Sequence, residues 1–275
     1  MIKDLVVHLT GSPEDEVRLA YAEQLARSFD AHLTGLQVHA LPEVIMITEP
    51  AASSFLQEML EQSHEAAKVV TDRLKKRFAR LEVQSDLRRL DAYPSTVGPM
   101  LAAETRTADL FIGTRPYGDP TGNVRPEEEV LFLSGRACLF LPPGGTPPKQ
   151  YATVFVAWND SRESARAIAE AMPFLARARQ VVVGLVEETG ATEQFNIAAG
   201  ADIGRYLSRH GISAEIRKIG GWTDTAKALL NEATQIGADL IVMGGYGHSR
   251  FREWVLGGAT RDILSRASVP VLMAH

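Results

Sequence analysis

The sequence DLIVMGGYGHSRFREWVLGGAT, residues 239–260, combines a short apolar run with two groups of glycines. The run Leu240–Met243 is typical of a strand in a parallel sheet that is covered on both faces. The glycines that follow it are Gly244, Gly245, Gly247, Gly257 and Gly258. Apolar helical spacing begins directly after them. Because glycine lets backbone approach a ligand, and a helix N-terminus offers unpaired N–H groups, this order predicts a phosphate-binding loop.

Composition places the chain among globular proteins that do not bind nucleic acid. Its 275 residues suffice for one large domain or two ordinary ones. Hydrophobic residues make up 45% and charged residues 23%, as expected for a chain with a packed core. The net charge is −5, and the lysines and arginines are spread along the chain. Nucleic-acid binding needs a concentrated basic patch, so we expect no such partner.

The N-terminus and the single cysteine indicate the compartment. Residues 1–9 carry charges inside an apolar stretch, which predicts a first strand rather than a signal peptide. No apolar run approaches the roughly 20 residues of a membrane span. Cys138 alone excludes an intramolecular disulfide and fits a reducing environment. We therefore expect a cytoplasmic protein without membrane association.

The chain repeats its own organisation. The segment PPGGTPP, residues 142–148, interrupts regular secondary structure more strongly than any other segment and predicts a linker. We place one domain at residues 1–142, the linker at 143–150 and a second domain at 151–275. Ala108–Leu110 matches Ala238–Leu240 at a shift of 130 positions. Strand and helix patterns alternate in both halves, which predicts a doubly wound parallel sheet in each. The ligand crevice should lie at the carboxyl ends of each half's first and fourth strands.

The glycine pattern resembles the universal stress protein family. Nucleotide-binding members carry Gly-x-x-Gly, nine residues, Gly and then Ser or Thr. Gly244, Gly247 and Gly257 match this spacing, with Gly258 at the Ser or Thr position and Thr260 able to supply a hydroxyl nearby. Asn159 stands where such members commonly place an Asp on the ribose side.

This resemblance implies a fold and an assembly. Each half would be a flavodoxin-like (adenine nucleotide alpha hydrolase-like) α/β domain, a five-stranded parallel sheet with helices on both faces. The two tandem domains would pack as a pseudo-dimer. The last strands of the halves, Leu139–Leu141 and Val269–Met273, would be the pairing edges. The sequence leaves open whether the halves pair within one chain or across a homodimer.

The resemblance also implies a ligand and a site in the second half. The ligand would be ATP or another adenine nucleotide, with Mg²⁺ left open as its companion ion. The residues assigned to it are Ala157, Trp158, Asn159 and Val186 for the adenosine, and Gly244, Gly247, His248, Gly257, Gly258, Ala259 and Thr260 for the phosphates. Packing is an alternative for Trp158 and Val186, and solvent or a partner surface for His248.

The first half lacks this loop. At the shift of 130, Gly244 falls on Thr114, Gly247 on Tyr117 and Gly257 on Glu127. The acidic run Glu127–Glu129 would repel phosphate, and is most simply interpreted as a solvated face. Prolines, which lack the N–H donor that phosphate needs, also occur in this segment. They are Pro116, Pro120 and Pro126. We predict no phosphate cradle in the first half.

No catalytic or metal-binding pattern accompanies the glycines. The chain has no Gly-x-Ser-x-Gly elbow, no Gly-Lys-Ser/Thr ending and no zinc-ligand spacing. We predict no catalytic residues and no metal ligands, and at most slow ATP hydrolysis. The leading hypothesis is a nucleotide-binding protein of the stress response. The alternative is a stress scaffold that binds no nucleotide and works through protein partners.

Overall fold

The computed structural model describes residues 1–43, 52–117, 126–186, 193–246 and 258–275. Three residues assigned to the phosphates, Gly247, His248 and Gly257, lie outside these ranges. By compactness the chain divides into two units. The first unit comprises Ile2–Gly113 and Thr121–Ser134, and the second comprises Met1, Thr114–Pro120 and Gly135–His275. The sequence boundary at residue 142 remains a prediction.

The first unit alternates strands and helices. Its elements are β1 (Asp4–Leu9), α1 (Asp15–Phe29), β2 (His32–Ala40), α2 (Ala52–Phe78), β3 (Ser85–Ala92), a 3₁₀ turn (Pro94–Thr96), α3 (Val97–Thr105), β4 (Leu110–Thr114) and α4 (Pro126–Leu133). The strands run parallel in the order β3-β2-β1-β4. Pro126 begins α4, a position where its missing N–H has no helical partner to lose. It therefore belongs to a helix, where we had expected a loop.

The second unit repeats the alternation. Its elements are β5 (Ala137–Leu141), β6 (Thr153–Ala157), α5 (Arg162–Leu175), β7 (Gln180–Val186), α6 (Glu193–Arg209), β8 (Ala214–Ile219), α7 (Thr225–Gln235), β9 (Leu240–Gly244), α8 (Ala259–Arg266) and β10 (Val271–Ala274). Five parallel strands follow the order β8-β7-β6-β9-β10. β5 joins β10 antiparallel, with Phe140 opposite Val271. The predicted α/β fold is confirmed.

Strand order fixes the position of the crevices. Chain order reverses between β1 and β4 in the first unit and between β6 and β9 in the second. Helices leave the sheet in opposite directions at such a point, so a crevice opens at the carboxyl ends of these strands. These are the first and fourth strands of each half, as predicted.

Local signals set the helix ends near the second crevice. Ser161 and Ser164 form a reciprocal capping box at the start of α5, and Asp224 accepts a hydrogen bond from the Lys227 N–H at the start of α7. Gly211 and Gly237, which follow α6 and α7, have φ angles of 75° and 62°. Only glycine adopts this region without strain, so both helices stop there. Within the described residues, no helix is long and apolar enough to cross a membrane.

Candidate functional site

The first glycine of the loop is fixed by close packing. Gly244 ends β9, beside the first turn of α5. A Cβ atom there would lie 2.5 Å from the Ser164 backbone nitrogen and 2.6 Å from the Glu163 carbonyl carbon. Both distances are far below van der Waals contact, so only glycine fits. Gly244 therefore lets the first turn of α5 approach the end of β9.

The end of β6 carries the residues assigned to the adenosine. Ala157 pairs with Met243 of the neighbouring strand β9, which brings it beside Gly244. Trp158 follows and is half-buried, and its backbone N–H donates to the Gly184 carbonyl. Its indole Nε1 is buried without a hydrogen-bond partner within the described residues. A buried unpaired N–H is costly, so this atom is available to a ligand acceptor.

Asn159 is exposed and partly engaged. Its side-chain oxygen accepts a hydrogen bond of 2.8 Å from the Ser161 hydroxyl. Asp160 between them has a positive φ of 54°, which turns the chain into α5. Val186, the last residue of β7, is half-buried. The structure thus gathers Ala157–Asn159 and Gly244 at one crevice, with Val186 at the end of the adjacent strand.

The other side of the crevice is the start of α8. Gly258 is its N-cap, with φ −60° and ψ 156°, and contributes no side-chain cap. Ala259 and Thr260 form the first turn, whose N–H groups have no partners within the helix. At the N-cap of α5, by contrast, the Ser161 side chain accepts a hydrogen bond from the Ser164 backbone N–H. Within the described residues, the first turn of α8 therefore has no side-chain acceptor like the one in α5.

Thr260 forms a hydrogen bond with Tyr246, the last described residue before the glycine loop. It is 4% exposed, and its hydroxyl accepts a hydrogen bond of 3.3 Å from the Tyr246 backbone N–H. The hydroxyl accepts this bond through its oxygen, so its own O–H can still donate a second hydrogen bond. Tyr246 has a φ of 57°, unusual for a residue with a side chain. The Thr260 hydroxyl therefore stabilises the strained backbone of Tyr246, which lies just before the glycine loop.

A tyrosine pair lies next to this turn. The hydroxyl groups of Tyr246 and Tyr117 are 2.9 Å apart, and the Arg261 guanidinium lies 5.3 Å from the centre of the Tyr117 ring. Sequence reasoning missed this contact. Tyr117 occupies the position that matches Gly247 at the shift of 130, and that match was its only signal.

The crevice of the first unit contains a buried ion pair. The His8 Nδ1 lies 2.8 Å from a carboxylate oxygen of Glu127, and the residues are 3% and 8% exposed. Burial alone would raise the pKa of the Glu127 carboxyl, but the charge and hydrogen bond of His8, with the charge of Arg18, outweigh burial and hold that pKa below its ordinary value. The interpretation of Glu127–Glu129 as a solvated face is thus wrong for Glu127, because its partner lies 119 positions away.

A second polar cluster lies at the edge of the first unit's sheet. The potential ligand atoms of His39, His64 and Asp91 lie within 4.8 Å of one another, although their linear spacing suggests no metal site. The Arg89 guanidinium is already among them. Its Nη2 lies 3.2 Å from His39 Nδ1 and 3.0 Å from His64 Nδ1, and its Nε lies 2.7 Å from Asp91. The Arg89 side chain therefore already supplies a positive charge in contact with all three potential ligands.

Comparison with known proteins agrees with this architecture. A model of the universal stress protein family matches residues 150–275. The universal stress protein Slr1230 of Synechocystis sp. is 35% identical over 68 residues, which cover 25% of this chain and 23% of that protein. The matched segment spans about a quarter of the curated relative's length.

Two solved structures share the fold over nearly the whole chain. A universal stress protein from Archaeoglobus fulgidus DSM 4304 has a TM-score of 0.76 and 16% identity, covering 98% of this chain and 95% of its own. A functionally unknown protein from Pseudomonas aeruginosa PAO1 has a TM-score of 0.61 and 15% identity, covering 99% and 92%. At such identities the likeness concerns the fold alone.

Proposed function

Since a model of the universal stress protein family matches residues 150–275, we propose that this half binds ATP or another adenine nucleotide and acts in the stress response. The observation that carries the proposal is the start of α8. A helix N-terminus whose N-cap, Gly258, supplies no side-chain acceptor follows the family's glycine spacing at the point where strand order reverses. This geometry suits a phosphate group, because the helix dipole and the first-turn N–H groups both attract an anion.

The described residues fit such a ligand in three ways. The Thr260 hydroxyl keeps a proton to donate to a phosphate oxygen while it accepts from Tyr246. The Trp158 Nε1, which has no hydrogen-bond partner within the described residues, offers a buried donor on the adenosine side. Ala157 and Val186, both half-buried, leave apolar surface beside it for a base. Gly247, His248 and Gly257 belong to the proposal through the family spacing alone.

The test uses two substitutions at one position. The backbone of Gly258 is in an extended conformation that any residue adopts. Gly258→Asp would cap α8 and stabilise it, while placing a carboxylate where the phosphate would bind. Gly258→Ser would cap the same helix with a neutral hydroxyl, the residue type that the family uses there. The pair separates a charge effect from a change in the helix.

Calorimetric titration with ATP and with AMP, each with and without Mg²⁺, measures the outcome. We expect saturable binding by the natural chain, retained in Gly258→Ser. We expect affinity at least tenfold lower in Gly258→Asp, since two charges about 4 Å apart repel by several kcal/mol at a protein surface. No binding at millimolar nucleotide by folded protein, or equal affinities in both variants, would refute the proposal.

The alternative is a scaffold that binds no nucleotide. It is favoured by the Asn159 side-chain oxygen, which is already bonded to Ser161. In this case the loop would contact a partner protein. A native mass spectrum of freshly purified chain separates the two functions. A co-purified mass of an adenine nucleotide supports the first, and a nucleotide-free chain carrying a protein partner supports the second.

A further inference from the structure

The first unit contains a cavity at its own crevice. It has a volume of about 620 Å³, within the range of small-molecule sites. It lies at the carboxyl ends of β1 and β2, between α2 and the start of α4. The glycine loop is lost from this half, yet the crevice is not filled by side chains of the described residues.

The wall of the cavity is mainly aliphatic. Its apolar lining includes Val38, Ala40, Ala66, Ala67, Val70 and Val97. No lysine or arginine is among the described lining residues, and Glu127 contributes a carboxylate. Because the Glu127 pKa is held below its ordinary value, this carboxylate is ionised at neutral pH. An anion such as a nucleotide phosphate would therefore be repelled by this carboxylate, with no lysine or arginine among the described lining residues to bind it.

Two buried polar atoms at this cavity have no partners within the described residues. They are His8 Nε2 and Gln37 Oε1, on side chains that line it. Both residues are almost fully buried, at 3% and 1% exposure. An unpaired buried polar atom costs about 1–3 kcal/mol, so two such atoms at one cavity indicate a missing ligand.

Neighbouring bonds determine what the Gln37 oxygen needs. The Gln37 amide nitrogen donates to the Ala67 carbonyl at 3.2 Å, which leaves the amide oxygen as the open acceptor. The ionised Glu127 carboxylate can only accept, so His8 Nδ1 carries the proton that they share. The Gln37 Oε1 atom therefore needs a hydrogen-bond donor, and His8 Nε2 offers a second polar contact at the same cavity.

We propose that the first unit binds a small amine or alcohol in this cavity. Its hydrocarbon body packs on the aliphatic wall, and its head group donates a hydrogen bond to Gln37 Oε1 and contacts His8 Nε2. This site takes an uncharged or cationic molecule, in contrast to the anionic nucleotide proposed for the second half. The two sites differ in residues, charge and ligand class.

Three probes with one ring and different head groups test the ligand class. They are 2-phenylethylamine, 2-phenylethanol and phenylacetate, titrated into the full chain and followed by ligand-observed NMR. We expect saturable binding of the amine and the alcohol, and affinity at least tenfold lower for phenylacetate. Equal binding of all three probes overturns the proposal. So does the absence of binding of the amine and the alcohol to folded protein at 10 mM, a concentration on the order of that needed for fragments.

Two variants on the same helix test the location. Ala66→Trp fills the cavity from an exposed position of α2, and Val69→Trp adds the same side chain at a position 64% exposed and outside the lining. We expect at least tenfold weaker amine binding in the first and less than twofold change in the second. Gln37→Leu, which removes the acceptor and keeps the shape, should also weaken binding at least tenfold. Unchanged affinity in Ala66→Trp or in Gln37→Leu overturns the assignment.

Discussion

Asp109 and Asp239 perform the same structural task in the two halves, 130 positions apart. One carboxylate oxygen of Asp109 accepts hydrogen bonds from the backbone N–H groups of Lys3 at 2.6 Å and Asp4 at 3.0 Å. One oxygen of Asp239 accepts from Ala152 and Thr153, both at 2.8 Å. Each aspartate directly precedes the fourth strand of its half and thus links that strand to the start of the first strand.

Replacing either aspartate should destabilise its half. Asp239→Ala leaves two backbone N–H groups without their acceptor, and we expect the free energy of unfolding to fall by about 1–3 kcal/mol. Asp109→Ala should cost a similar amount. Urea unfolding measures both. Asp202→Ala, at an exposed surface pair, is the control and should change stability by less than about 0.5 kcal/mol. Equal effects of Asp239→Ala and the control would contradict the assigned role.

The packing of Gly244 predicts a cost for a single methyl group. Gly244→Ala places a carbon 2.5 Å from the Ser164 nitrogen, so α5 or β9 must shift, and we expect a loss of about 1–3 kcal/mol. The control is Gly204→Ala in α6, where the new carbon would lie 3.7 Å from Ile216 in ordinary contact. That change should stabilise the chain by about 0.4–1 kcal/mol. Thermal unfolding reports both, and a neutral Gly244→Ala would disprove the close contact.

The His8–Glu127 pair predicts a dependence on acid. Because the Glu127 pKa is lower in the folded chain than its ordinary value of 4.5, its ionised form stabilises the fold above that pH. That contribution is lost as the pH falls through the folded value. Glu127→Gln should reduce stability at pH 7 by about 1–3 kcal/mol and make the acid dependence shallower. Urea unfolding between pH 3 and 7 measures the slope, with exposed Glu61→Gln as control. An unchanged slope in Glu127→Gln would exclude the pair as its source.

Thr260 provides a test of the loop turn. Thr260→Val keeps the shape but removes the acceptor of the Tyr246 N–H, and should lower stability by about 1 kcal/mol. Thr260→Ser keeps the hydroxyl and should lose much less. Hydrogen exchange of the Tyr246 amide follows the bond directly, and we expect faster exchange in the valine variant alone. Equal exchange rates in both variants would show that the hydroxyl does not hold this turn.

Much of the fold follows from local sequence. Glycines at 211 and 237, a serine cap at Ser161 and the linker rich in proline and glycine set element boundaries that the structure reproduces. These signals depend on the dihedral angles and hydrogen bonds of neighbouring residues. The reversal of strand order was also predictable, because right-handed crossovers leave few topologies for a chain that alternates strand and helix.

The site was less predictable because its contacts are distant in sequence. Three adjacent glutamates suggest a solvent-exposed face in the sequence. The fold instead buries Glu127 beside His8, which is 119 positions away. Tyr117 gains meaning only when the fold brings it to Tyr246, 129 positions away. Gly244 counted as a phosphate ligand by spacing, whereas its position beside Ser164 shows a packing requirement that spacing does not encode. Contacts between side chains that are distant in sequence produce no periodic pattern from which they could be predicted.

The antiparallel pairing of β5 with β10 has a consequence for synthesis. β5 is made roughly 130 residues before Val271–Ala274, at about 5–20 residues per second, so it waits on the order of ten seconds for this partner. All five of its residues, Ala137–Leu141, end up buried. Until β10 emerges, this apolar strand presents an unpaired edge to other nascent chains. The growing protein is thus most exposed to misassociation during translation of its second half, when a chaperone would matter most.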